Sequence, residues 1–131
     1  GDWIRVVTAY ATEVVIDIKP GSYPNSINPG SRGVIPVAIL TTADFDATTV
    51  DPSTVLFGPE GDEAPPVRWA IEDVDQDGDM DLVFHFKTQE TDIQAGDTEA
   101  ILTGETVDGW DIYGVDSVRT VPPKGKGKSG K

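Results

Sequence analysis

The sequence contains no cysteine, which excludes disulfides, thiol catalysis and thiolate metal sites. It has one histidine, His85, and no GxSxG turn, so nucleophilic catalysis and zinc chemistry lack their usual parts. Long hydrophobic runs are missing too: the longest apolar stretch, residues 34–40, contains Pro36 and falls far short of the roughly 20 residues a membrane helix needs. Membrane insertion is not expected. Basic side chains are scarce, with 10 Lys and Arg against 23 Asp and Glu. Residues 1–118 hold all 23 acids and five bases, so that body carries −18. A surface this acidic repels phosphate backbones and anionic lipid, which argues against nucleic acid as a partner. Cations and basic protein surfaces are its natural ligands.

Helical periodicity is also lacking. Val, Ile and Thr dominate the apolar runs, and Gly, Pro and Asp interrupt them every eight to twelve residues, the pattern of short strands. Residues 3–10 and 12–19 read as extended, the second alternating Val14, Ile16 and Ile18 against Val15, Asp17 and Lys19. Residues 20–33, with three prolines and three glycines, form a surface loop. Further strands are expected at residues 34–41, 54–57, 67–74, 82–87, 98–103 and 110–121. With no helices between them and 131 residues in all, this predicts one all-β domain, an antiparallel β-sandwich of about eight strands. Its organisation is expected to be an N-terminal extended strand (1–13), the sandwich (14–121) and a basic Lys/Gly tail (122–131).

The strongest chemical signal is residues 73–81, DVDQDGDMD, which place Asp73, Asp75, Asp77, Asp79 and Asp81 at alternate positions with Gly78 among them. A hard cation such as Ca2+ takes six to eight oxygens at about 2.3–2.6 Å, and alternate side chains converging around a tight turn supply them. Asp73, Asp75, Asp77 and Asp81 are expected to ligate through side chains and Asp79 through its backbone carbonyl. The helix-flanked calcium loop carries a Glu at its twelfth position, but here that residue is Phe84. The loop is similar instead to the DxDxDGxxD loops of integrin-type propeller repeats, thrombospondin type 3 repeats and dockerins. With strands on both flanks it should join a hairpin, its metal structural and weakly held, on the order of 10⁻⁴–10⁻³ M. Such an affinity suits extracellular calcium.

Other signals are weaker. Asp44, Asp46 and Asp51 are expected to be ordinary turn residues, and His85 and Lys87 surface residues on the polar face of a strand. No catalytic residue is assigned, because the one conspicuous carboxylate cluster is better explained by a cation than by glycoside cleavage. Trp69 shares a face with Val67 and Ile71, and Trp110 with Ile112, so both are expected in the core. Tyr23, in the proline-rich loop, should be exposed.

The blocks IDIKPGS, GVIPVAILTT and DVDQDGDMD, in this order, resemble an extracellular module that recurs in large secreted bacterial and archaeal proteins. The resemblance covers roughly residues 14–121 and implies secretion and a calcium-bearing β-sandwich, without a known activity. Residues 1–13 and the basic tail lie outside it. The surplus strand-like N-terminus suits donor-strand exchange, in which a segment completes a neighbour's sheet. The tail suits an acidic surface such as another copy of the body. The expectation is a secreted, non-catalytic homo-oligomer or polymer, a subunit of an extracellular filament, sheath or surface layer. The alternative is a polysaccharide-binding accessory module of a secreted hydrolase.

Overall fold

A computed structural model describes residues 11–121. The N-terminal extended run and the Lys/Gly tail expected from the sequence therefore lie outside the described residues, apart from Ala11, Thr12 and Glu13.

Among the described residues ten strands form, in chain order: β1 (Thr12–Glu13), β2 (Val15–Ile18), β3 (Ser26–Ile27), β4 (Val34–Leu40), β5 (Val50–Gly58), β6 (Pro66–Glu72), β7 (Asp81–Lys87), β8 (Glu99–Thr106), β9 (Asp111–Ser117) and β10 (Arg119–Thr120). Two four-stranded sheets face each other, one ordered β2-β4-β7-β6 and the other β1-β9-β8-β5. Seven of the expected strands fall among the described residues and form; the one expected over 12–19 divides into β1 and β2. The two-residue strands β3 and β10 add a small parallel ribbon, and β1 also pairs in parallel, with β9; the remaining pairs are antiparallel. A 3-10 turn at Ala47–Thr49 and one helical turn, α1 (Thr88–Thr91), depart from the helix-free expectation. Each is too short to show a 3.6-residue period.

Alternation dictates which side chains fill the gap between the sheets. In β2, Ile16 and Ile18 are buried while Val15 faces out; in β7, Leu82, Phe84 and Phe86 point inward. Phe86 stacks on Phe57 of the opposite sheet with ring centroids 4.9 Å apart, and on Phe84 at 6.1 Å. These rings join the two layers. The chain changes sheet at Val14, whose N–H donates to the Tyr113 carbonyl at 2.8 Å. Gly114 permits that close approach, since a Cβ there would lie 2.6 Å from Ile16 Cγ2 and 2.9 Å from the Val14 carbonyl oxygen.

One expectation about the core fails. Trp69 is 49% exposed and Trp110 is 67% exposed. Trp69 does share a face with Ile71, opposite the buried Phe84 and Leu82, whereas Val67 falls at a register shift between Pro66 and Arg68. But β6 is the outermost strand of its sheet, and the facing sheet leaves its inner side half open. Trp110 lies in the turn before β9 rather than on a strand. Tyr23 is 88% exposed, as the proline-rich loop implied.

Candidate metal centre

Strands β6 and β7 pair antiparallel up to Glu72↔Asp81, so the acidic segment is the hairpin connection the sequence predicted. Gly78 turns the chain there with φ +96°, a conformation side chains resist, and Gln76 also has positive φ, at 57°. The carboxylates of Asp73, Asp75 and Asp81 converge, with one oxygen from each within 4.8 Å of the others. Of the five expected ligands these three are brought together. Asp77 and Asp79 shape the turn: the Asp79 N–H donates to Asp77 Oδ1 at 2.9 Å, and the N–H groups of Asp77 and Gly78 donate to the Asp73 carboxylate at 3.2 and 3.0 Å.

Asp81 anchors the group. It is fully buried, its Oδ1 accepting the Thr41 N–H at 2.8 Å and its Oδ2 the Val74 N–H at 3.0 Å. Thr41 is itself held, donating its hydroxyl to the Met80 carbonyl at 2.7 Å and accepting the Ala47 N–H at 2.8 Å. The end of β4, the end of β6 and the start of β7 are thus tied at one carboxylate. Asp75 is exposed, yet its carboxyl is pushed above the ordinary range, first by desolvation, then by a hydrogen bond with Asp77 and the charges of Asp81 and Asp77. Repulsion of this kind is what a bound cation relieves. An all-oxygen set of converging carboxylates fits a hard cation.

A second acidic group, Glu60, Asp62 and Glu63, also has carboxylate oxygens within 4.8 Å of one another. Three of the four residues 60–63 are acidic, but without the alternate spacing that marks residues 73–81. Its chemistry differs, because the Glu63 carboxylate already accepts the N–H groups of Glu60, Gly61 and Asp62 at 3.0–3.1 Å. Burial pushes the Glu63 carboxyl up in spite of those three donors. These two groups are the acidic clusters able to hold a metal among the described residues.

Asp46 and Asp51 are turn caps, as expected. Asp46 Oδ1 accepts from the Thr48 N–H and hydroxyl, which lowers its pKa, and Asp51 Oδ1 accepts from the Ser53 N–H and hydroxyl. His85 departs from its expected surface role. It is half-buried beside a recess of about 410 Å³ that Pro20, Pro36, Glu72 and Asp73 also line. Its Nδ1 is buried without a hydrogen-bond partner among the described residues, and burial, then the Arg68 charge, holds its pKa down.

Among the described residues the exposed aromatics Tyr23, Trp69 and Trp110 are scattered. Following the strand directions, Tyr23 lies in the loop at one end of the sandwich, Trp110 in a turn at the other, and Trp69 midway along the β6 margin. Among the described residues no helix is long and apolar enough to cross a membrane. The chain matches no family model, no curated protein and no solved structure in the comparisons with known proteins.

Proposed function

We propose that the protein is a secreted, non-catalytic, calcium-stabilised β-sandwich that works by association, as a structural subunit of an extracellular filament, sheath or surface layer. One observation carries this reading: β6 is a sheet margin exposed along almost its whole length, with the apolar side chains of Val67, Trp69 and Ile71 half open to solvent. An exposed apolar edge strand is a template for pairing with another chain. The acidic hairpin adjoins that edge. Ca2+ held by Asp73, Asp75, Asp77 and Asp81 side chains and the Asp79 carbonyl would neutralise the loop and fasten β6 to β7 and β4 through the anchored Asp81. The edge is then presented rigidly. Secretion follows from the resemblance to extracellular modules and from the weak calcium affinity that a loop without the twelfth-position Glu implies.

The polysaccharide-binding alternative needs aromatic faces aligned on one surface, whereas Tyr23, Trp69 and Trp110 lie at three separate places. Negative-stain electron microscopy of the full chain in millimolar calcium and in chelator tests the assembly reading. Ordered polymers in calcium support it. Dispersed single particles in both conditions overturn it.

A further inference from the structure

The association reading leaves open what pairs with β6. We propose that β6 accepts residues 3–10 of a second copy of this chain, which add as a fifth strand to the sheet β2-β4-β7-β6. This inference rests on the association reading and names its two contact surfaces.

The acceptor is a regular template. From Arg68 to Glu72 every residue of β6 is in register with β7, so its free margin is unbroken over five residues. The adjacent margin of the facing sheet, at β5, is different: its ladder is interrupted between Asp51 and Leu56, and Phe57 is already bonded at N–H and C=O to Ala64. Along β6, Trp69 and Ile71, on the face they share with the buried Phe84 and Leu82, are 49% and 55% exposed. A further strand there would extend the core over them.

The occupant follows from composition and reach. Residues 3–10, WIRVVTAY, are eight residues without Gly or Pro and alternate Ile4, Val6, Thr8 and Tyr10 against Trp3, Arg5, Val7 and Ala9. One alternate set supplies apolar side chains for the inner face. Their only charge is Arg5, and β6 runs between two acidic groups, Glu60, Asp62 and Glu63 before it and Asp73, Asp75 and Asp81 after it. The charges are complementary.

The same chain cannot supply the strand. β1 and β6 lie at opposite margins of the sandwich, three inter-strand spacings or about 14 Å apart. Only Ala11 separates Tyr10 from β1, a leash of two Cα steps or about 7.6 Å. Donor and acceptor are different surfaces of the molecule, so each copy that accepts a strand still offers one. Such heterologous contacts build open polymers rather than closed dimers.

The absence of cysteine makes the test direct. Full chains carrying Val6→Cys or Val7→Cys are mixed in millimolar calcium with chains carrying Arg68→Cys, Trp69→Cys, Ala70→Cys or Ile71→Cys, then mildly oxidised. Mixed disulfides between a donor and an acceptor position, identified by peptide mass, are expected, and full-length Ile71→Lys should lose assembly while keeping its circular dichroism. If Ile71→Lys does not fold, the cysteine pairs decide. Assemblies that form without any such cross-link, or that Ile71→Lys leaves intact, overturn this pairing but not association. A chain that stays monomeric in calcium overturns both.

Discussion

The carboxylate of Asp81, the first residue of β7, accepts the backbone N–H of Thr41, the residue that follows β4, at 2.8 Å. With the Val74 N–H on its other oxygen, this one buried side chain joins three neighbouring strands at the end where the acidic loop projects. The loop is therefore attached to the core of the fold, and four consequences can be measured.

Asp81 and Asp75 should separate structure from metal binding. Asp81→Ala leaves two backbone N–H groups without their acceptor, each a bond to a charged group worth about 1.5–3 kcal/mol, so stability should fall by roughly 3 kcal/mol even in chelator. Asp75, exposed and holding no strand, should when changed to Asn leave the chelator value within about 0.5 kcal/mol and lower only the gain from calcium. Urea denaturation with and without calcium distinguishes the two.

The aromatic side chains should divide in the same way. Phe86→Ala removes a buried ring stacked on Phe57 and Phe84 and is expected to cost about 3–5 kcal/mol. Trp69→Ala, at an open margin, should cost about 1 kcal/mol or less in the monomer and reduce assembly far more. Thermal unfolding and light scattering on the same variants compare the two effects.

Gly114→Ala tests the sheet crossover. The added methyl would press against Ile16 and the Val14 carbonyl, the latter backbone that cannot swing aside. A loss of about 1–3 kcal/mol is expected, without change in calcium affinity.

Asp17 should give a pH signature. Burial, and then the neighbouring charge of Asp116, raises its pKa; Asp116 itself accepts from the Ile18 N–H and the Asn25 side chain. A raised carboxyl means the folded chain holds that proton more tightly than the unfolded chain, so ionisation costs stability above the folded pKa, and the cost fades as pH falls through it. Asp17→Asn should therefore be more stable than wild type at neutral pH, with the advantage vanishing near the ordinary carboxylate range of about pH 4. Equal differences at both pH values would reject this origin.

Much of this was legible in the residues. Alternation in residues 14–18 and 82–87 located two core strands, and the spacing of Asp73, Asp75, Asp77, Gly78 and Asp81 located the hairpin loop. Alternation shows which side chains share a face, but not how far the opposite sheet reaches, which is why Trp69 was expected in the core. The Thr41 bond to Asp81 spans 40 positions and leaves no local trace. The parallel contacts of β1 and β3 involve two residues each, too few for any periodicity, and α1 is a single turn. The Glu60, Asp62 and Glu63 group depends on a loop folding its carboxylates together around backbone N–H groups, which spacing alone does not reveal.

The most direct test of calcium-supported association is the mass of the full chain by multi-angle light scattering as free calcium is raised from chelated to about 10 mM, a range spanning the weak affinities of extracellular sites. The account predicts a mass that climbs well above the 14.0 kDa of one chain and falls again when chelator is added. A mass that stays at 14.0 kDa across the whole titration would contradict it.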